Sequence, residues 1–227
     1  MKTQRRSKAQ AAPAAAAGAD SENRKVRAII AAANKLFLEQ GLANPSMDLI
    51  AETAGVSKAT IYVYFRSREE LILALVEHDV RCNGPGVIWD PASDVGDVEE
   101  GLRGIARRYM AFFLNLRYRD RAIFRLIEEQ APNLPEIGRT FFAAGPQKTN
   151  AQVASFLKTA NAKGLLPVFD FDLAAIQFVS LLFGDLHFRR MLAIPFPSKK
   201  ELDVRIESAI RVFLAAYGHA ATQRQQR

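Results

Sequence analysis

One cysteine, Cys82, stands in 227 residues, so no intrachain disulfide framework can form. Three histidines, His78, His187 and His219, lie far apart in the sequence. No His-Glu-x-x-His pair, Gly-x-Ser-x-Gly elbow or phosphate-binding glycine loop occurs. Asp185 and His187 are two apart and so do not share a helix face. These absences point away from an enzyme and imply no metal and no cofactor. Strand-type alternation is scarce. The longest apolar stretch, DLAAIQFVSLLFGDLHF, is interrupted by Gln177 and Asp185, so no membrane-spanning segment is expected. The lone thiol and this lack of a span fit a cytoplasmic protein.

What is present is helical patterning and positive charge. Apolar residues recur at three- and four-residue steps, and 49% of residues are hydrophobic, enough for a sizeable core. The formal charge of +7 mildly favours a polyanionic partner. The start, MKTQRRSKAQAAPAAAAGAD, has no Leu-rich core and is broken by Pro13 and Gly18, so a secretory signal is not expected. Residues 1–20 read as a disordered tail, with Arg5, Arg6 and Lys8 forming an arm that could contact phosphates. A first domain is expected over 21–82 and a glycine- and proline-rich linker over 83–96. A second helical domain follows over 97–218, with a short tail, 219–227. Its helices are expected near 97–117, 119–130, 134–143, 146–163 and 171–193, and from Ser198 to Tyr217.

The stretch PSMDLIAETAGVSKATIYVYFRSREEL, residues 45–71, carries the most specific signal. Met47, Ile50, Ala51 and Ala54 form one stripe of a short helix. Ser46 can cap its start, and Gly55 suits the left-handed turn that ends it. Ser57 can cap a second helix whose core side is Ile61, Tyr64 and Phe65. This is the pattern of a helix-turn-helix. Lys58, Ala59, Thr60, Tyr62 and Val63 are left facing away from the core. They are short or aromatic, so a backbone can come close to DNA: Thr60 and Lys58 to bases or phosphates, Ala59 or Val63 to a thymine methyl, Tyr62 to a phosphate. Arg66, Ser67 and Arg68 open the next helix and suit phosphate oxygens.

The same residues, with the preceding IIAAANKLFLEQGLANPSM, resemble the DNA-binding signature of the TetR/AcrR family of bacterial transcriptional regulators over roughly residues 25–80. The sequence departs from the commonest pattern at Ala59 and Arg68, where glycine or proline and lysine are frequent. The resemblance implies Ser46, Lys58, Thr60, Tyr62 and Arg68 as DNA contacts, beside Ser57, Ala59, Val63 and Arg66 from the residue pattern. FRLIEEQAPNLPEIGRTFFAAGP and LLFGDLHFRRML are similar to the C-terminal region of AcrR- and AefR-like members. In that family this region binds a small effector and forms the homodimer.

Read on its own residues, the second domain is rich in phenylalanine. Phe112, Phe113, Leu116, Phe124, Phe142 and Phe178 either pack a core or line an apolar cavity, with Tyr109 and His187 able to orient a ligand. Broad apolar faces over 176–186 and 204–214 are either satisfied within the monomer or paired across a two-fold axis. Val179, Phe183, Gly184, Ile206, Ile210 and Phe213 are the interface candidates. The expectation is an all-α chain whose N-terminal helix-turn-helix bundle is joined to a larger C-terminal bundle. Its expected partners are an operator in double-stranded DNA, a small hydrophobic effector and a second copy of itself, and the expected role is a repressor released by the effector. An activator or global regulator with the same partners is the alternative, and a helical carrier or enzyme is the rival from another class.

Overall fold

The computed structural model describes residues 12–40, 45–114 and 119–218, and the other positions, including Leu116, lie outside the described residues. Among the described residues all regular structure is α-helix, with no strand, as the sequence pattern implies. It divides into two compact units, Met1–Val76 and Glu77–Arg227.

Unit 1 contains α1 (Ala12–Gln40), α2 (Met47–Thr53), α3 (Lys58–Tyr64) and the first half of α4 (Arg68–Asn83). The sequence pattern starts α1 at Ser21, but the helix begins at Ala12, inside the segment expected to be a tail. Alanine is the strongest helix former, and Pro13 is tolerated in a first turn. Ile29, Ala33, Leu36 and Phe37 of α1 are buried, and Ile50, Ile61 and Leu71 from the other three helices have no exposed surface. The Ser67 hydroxyl at the head of α4 accepts from the Glu70 N–H at 3.2 Å, and the Glu70 carboxylate accepts from the Arg66 N–H at 2.8 Å. Together these two bonds fix where α4 starts.

Unit 2 begins within α4. It continues through α5 (Val98–Leu114), α6 (Arg119–Gln130), α7 (Pro135–Ala144), α8 (Pro146–Ala162), α9 (Phe171–Phe183), α10 (Leu186–Met191) and α11 (Lys199–Tyr217). Helix α8 packs on α7 and α9, and α11 packs on α5 and α9. Leu102, Phe156, Phe178, Leu182 and Phe213 are fully buried, and the Phe178 and Phe213 rings meet edge to face at 5.2 Å.

The segment expected as a linker, 83–96, contributes to this core. Ile88, Trp89 and Val95 are buried. The Gln152 side-chain oxygen accepts from the Ile88 and Trp89 N–H groups at 2.8 and 3.1 Å, and Arg108 donates to the Ile88 carbonyl at 2.8 Å. A non-helical strap held at its backbone satisfies polar groups that burial would otherwise leave unpaired.

The helix expected over 171–193 is two helices. The apolar step Phe178, Leu182, Leu186 runs straight through the break, so periodicity alone does not reveal it. Gly184 has φ 49° and ψ −120°, outside what other residues readily adopt. Arg205 from α11 closes the break: Nη1 donates to the Phe183 carbonyl at 3.2 Å and Nη2 to the Asp185 carboxylate at 2.6 Å. Arg189 adds a second bond to Asp185 at 2.5 Å. These two guanidinium groups hold the Asp185 carboxyl down at about 2. A Cβ at Gly184 would come 2.5 Å from Arg205 Nη1. Gly184→Ala is therefore expected to cost about 1–3 kcal/mol, read as a lower urea midpoint with unchanged helical circular dichroism.

Candidate functional site

The corner between α2 and α3 is built from short-range signals. The Ser46 hydroxyl accepts from the Leu49 N–H at 3.2 Å, and the Ser57 hydroxyl accepts from the Thr60 N–H at 3.0 Å. Each bond satisfies an orphan donor of a first turn. Gly55 sits at φ 68°, the left-handed conformation that lets α2 end and the chain reverse. Val56 N–H donates to the Ala51 carbonyl at 3.0 Å, closing the turn. With Ile61 and Phe65 buried, α3 presents its other face to solvent.

On that face Lys58 and Ala59 are exposed, as are Tyr62 (42%) and Val63 (76%). Thr60 is half-buried, and its hydroxyl shares a 2.8 Å hydrogen bond with the Ser57 hydroxyl. Lys58 Nζ meets the Asp48 carboxylate of α2 at 2.7 Å, which holds the ammonium above its ordinary value. Both partners are exposed, and such pairs are worth roughly 0–1 kcal/mol, so Lys58 can trade Asp48 for another anion at little cost. Arg66 is exposed. Arg68 is half-buried, with its guanidinium 5.7 Å from the Phe37 ring centroid. Ser46, Ser57, Lys58, Ala59, Thr60, Tyr62, Val63 and Arg66 therefore gather at one corner, while Arg68 also packs on α1.

Unit 2 holds a cavity of about 300 Å³. Tyr109, Phe112, Phe124 and His187 line it, together with Phe183, which the sequence reading assigned to the dimer surface, and with residues outside its pocket candidates, among them Phe141, Ile127 and Arg190. The Phe124 and Phe141 rings meet edge to face at 5.1 Å. Burial pushes the Tyr109 phenol well above its ordinary value, so its hydroxyl stays protonated. Asp79 and Val80, from the second half of α4, complete one wall.

Other candidates fall elsewhere. Phe178 belongs to the packed core, and Phe142 is 56% exposed. Helical spacing separates Phe142 from its neighbour: Ile137 is buried, and Phe141 lies four residues on, over the same face. Nothing is described of the Phe113 side chain or of Leu116. Ile206, Ile210 and Phe213, candidates for a dimer surface, are buried within unit 2. The inner side of α11 packs on α5 and α9, so these three serve the monomer core. Val179 is half-buried, Phe183 lines the cavity, and Gly184 is exposed at the α9 break. The apolar residues left exposed on α9 and α11 are instead Leu173, Ile176, Leu181, Val204 and Val212. Cys82 is exposed and lies 3.7 Å from His78 Nε2, one helical turn back. Among the described residues no group of three His, Cys, Asp or Glu side chains could hold a metal ion, and no helix is long and apolar enough to cross a membrane.

Comparison with known proteins agrees with this division. Residues 29–75 match the bacterial regulatory proteins of the tetR family. Residues 100–219 match the C-terminal domain of AefR-like transcriptional repressors. Among solved structures, the flavonoid-responsive regulator FrrA is 35% identical, with a TM-score of 0.75 over 86% of this chain and 97% of its own. A TetR-family transcriptional regulator from Mesorhizobium loti is 30% identical, with a TM-score of 0.73 over 87% of this chain and 98% of its own. Two curated relatives come from Mycolicibacterium smegmatis. The HTH-type transcriptional regulator EthR is 28% identical over 140 residues, 62% of each chain. The HTH-type transcriptional activator FasR is 40% identical over 52 residues, 23% of this chain and 24% of its own. The chain thus spans less than two thirds of the length of these curated relatives. It belongs to the TetR family of bacterial regulatory proteins.

The caps make a direct test of the corner's construction. Ser57→Ala removes the bond to the Thr60 N–H and is expected to cost about 1 kcal/mol of stability, seen as a lower thermal midpoint. Ser57→Asp, which restores an acceptor, should recover most of it.

Proposed function

We propose that the protein is a homodimeric transcriptional regulator that binds a two-fold operator through α3 and is released from it by a small, largely apolar effector. The observation that carries this reading is the outward face of α3. A capped seven-residue helix keeps Lys58, Ala59, Tyr62 and Val63 in solvent while Ile61 anchors it from behind. In helix-turn-helix proteins the second helix enters the major groove N-terminal end first. Lys58, Ala59 and Thr60 would then lead. Lys58 would exchange Asp48 for a phosphate or a guanine edge, Tyr62 and Arg66 would hold phosphates, and Val63 would meet a thymine methyl.

The switch reading rests on chain continuity. Helix α4 belongs to unit 1 as far as Val76, and a few residues later its Asp79 and Val80 line the cavity of unit 2. A ligand that fits the cavity better in one setting of this helix would be linked to the DNA-binding unit through the same rod. Coupling of about 1–3 kcal/mol would change operator affinity roughly 5- to 150-fold. The aromatic lining supports an aromatic effector, and the relative FrrA is flavonoid-responsive. The match to FasR, an activator, falls in a short stretch and gives the activator alternative its support. Transcript levels of the bound gene in a deletion strain separate the two: a rise on deletion means repression and a fall means activation.

Operator affinity, measured by fluorescence anisotropy on footprinted DNA, should fall steeply with salt. Lys58→Ala and Tyr62→Ala should each cost about 1–3 kcal/mol of binding, and Lys58→Ala should lower the salt slope by about 1. Both variants should melt like the parent protein.

The dimer would cover apolar surface that the monomer leaves in water. Ile176 is 48% exposed on α9, whereas Ile210 is buried. Ile176→Glu should leave the fold intact and shift the species in light scattering at micromolar concentration toward monomer. Ile210→Glu should destabilise the monomer itself, by on the order of 4 kcal/mol.

A further inference from the structure

The polar end of the cavity is chemically specified. Arg190 Nη2 lies 2.8 Å from His187 Nδ1, and both residues line the cavity. A guanidinium has donors and no acceptor. While this bond holds, Nδ1 must offer its lone pair, so the ring is neutral and its one hydrogen sits on Nε2. Arg190 is braced in place, its guanidinium carbon 3.3 Å from the Phe124 ring centroid. The imidazole centroid is 6.4 Å from that of the Phe183 ring and 6.0 Å from that of Phe188. Nδ1 is thus occupied, and the Nε2–H is the polar group the ring can offer to a bound molecule.

The charge of the lining narrows what that molecule carries. Asp79, Glu128 and Arg190 are the charged residues of the lining. With His187 neutral, two acids and one base give the ionisable lining no excess of positive charge to draw in a carboxylate ligand. A neutral acceptor can take the imidazole hydrogen and needs no such excess. The rest of the wall, including Phe112, Phe124, Phe141 and Ile127, is aromatic or aliphatic.

We infer that His187, oriented by Arg190, is the hydrogen-bond donor that selects neutral aromatic effectors bearing a carbonyl oxygen. The inference rests on reading the cavity as the effector site. In it His187 touches the ligand, and Arg190 is a positioning residue that sets which imidazole nitrogen faces it.

The test uses the purified full chain and three probes of similar shape: benzophenone, diphenylmethane and diphenylacetate. Calorimetry should show benzophenone binding about tenfold tighter than diphenylmethane, the worth of one buried hydrogen bond, and diphenylacetate binding more weakly than benzophenone. In His187→Leu the preference for benzophenone should disappear while diphenylmethane still binds, and in His187→Gln, which keeps a donor, part of it should return. Nitrogen-15 NMR of the histidine-labelled parent protein should show His187 neutral with its hydrogen on Nε2, and Arg190→Met should remove that preference. If benzophenone and diphenylmethane bind equally, if diphenylacetate binds tightest, or if the hydrogen is on Nδ1, the inference is overturned and the cavity reading stands. If none of the three binds, both are overturned.

Discussion

Two helices of seven residues do not hold themselves together in water. Helices α2 and α3 exist because Ile50 and Ile61 are completely buried among the helices of unit 1, with Met47, Ala51 and Phe65 packed beside them. Everything proposed for this end of the molecule depends on that burial. With stability supplied from one side, the opposite side of α3 is free of packing duty. It can carry an exposed valine, a tyrosine and a lysine that a self-sufficient helix would have no reason to display together. The serine caps and Gly55 then set the angle of the corner at the cost of few residues.

This corner was legible in the sequence because the signals that mark it are local, even though the burial that stabilises it is not. A cap and its N–H are three residues apart, and a left-handed glycine acts at its own position. The buried stripe repeats at three and four. The Asp48–Lys58 pair was not legible, since it joins two helices and depends on the angle between them. The all-α class and most helix limits in unit 2 were likewise readable from spacing and prolines. The break at Gly184 was not, because the apolar period continues across it and the residue that stabilises it, Arg205, arrives from α11.

The same distinction explains the cavity and the dimer candidates. Whether a phenylalanine fills a core or faces a hollow is decided by neighbouring helices, so Phe124 and Phe178 are alike in sequence and different in place. Ile206, Ile210 and Phe213 mark an apolar face of α11, and such a face reads identically whether it covers its own core or a second copy. Phe141 could have been chosen over Phe142 from its spacing to Ile137. Arg190 could not, since its role is fixed by a ring on α6 and by the imidazole one turn before it.

On the proposed function, the exposed face of α3 reads DNA in pairs. Selection of bound duplexes from a random-sequence DNA library by the full chain tests it directly, because every candidate site competes at once. An inverted repeat whose half-sites lie on one face of the duplex should be enriched, and that enrichment should be lost in Tyr62→Ala. No enriched sequence at moderate salt, or enrichment that persists unchanged in that variant, would contradict that reading.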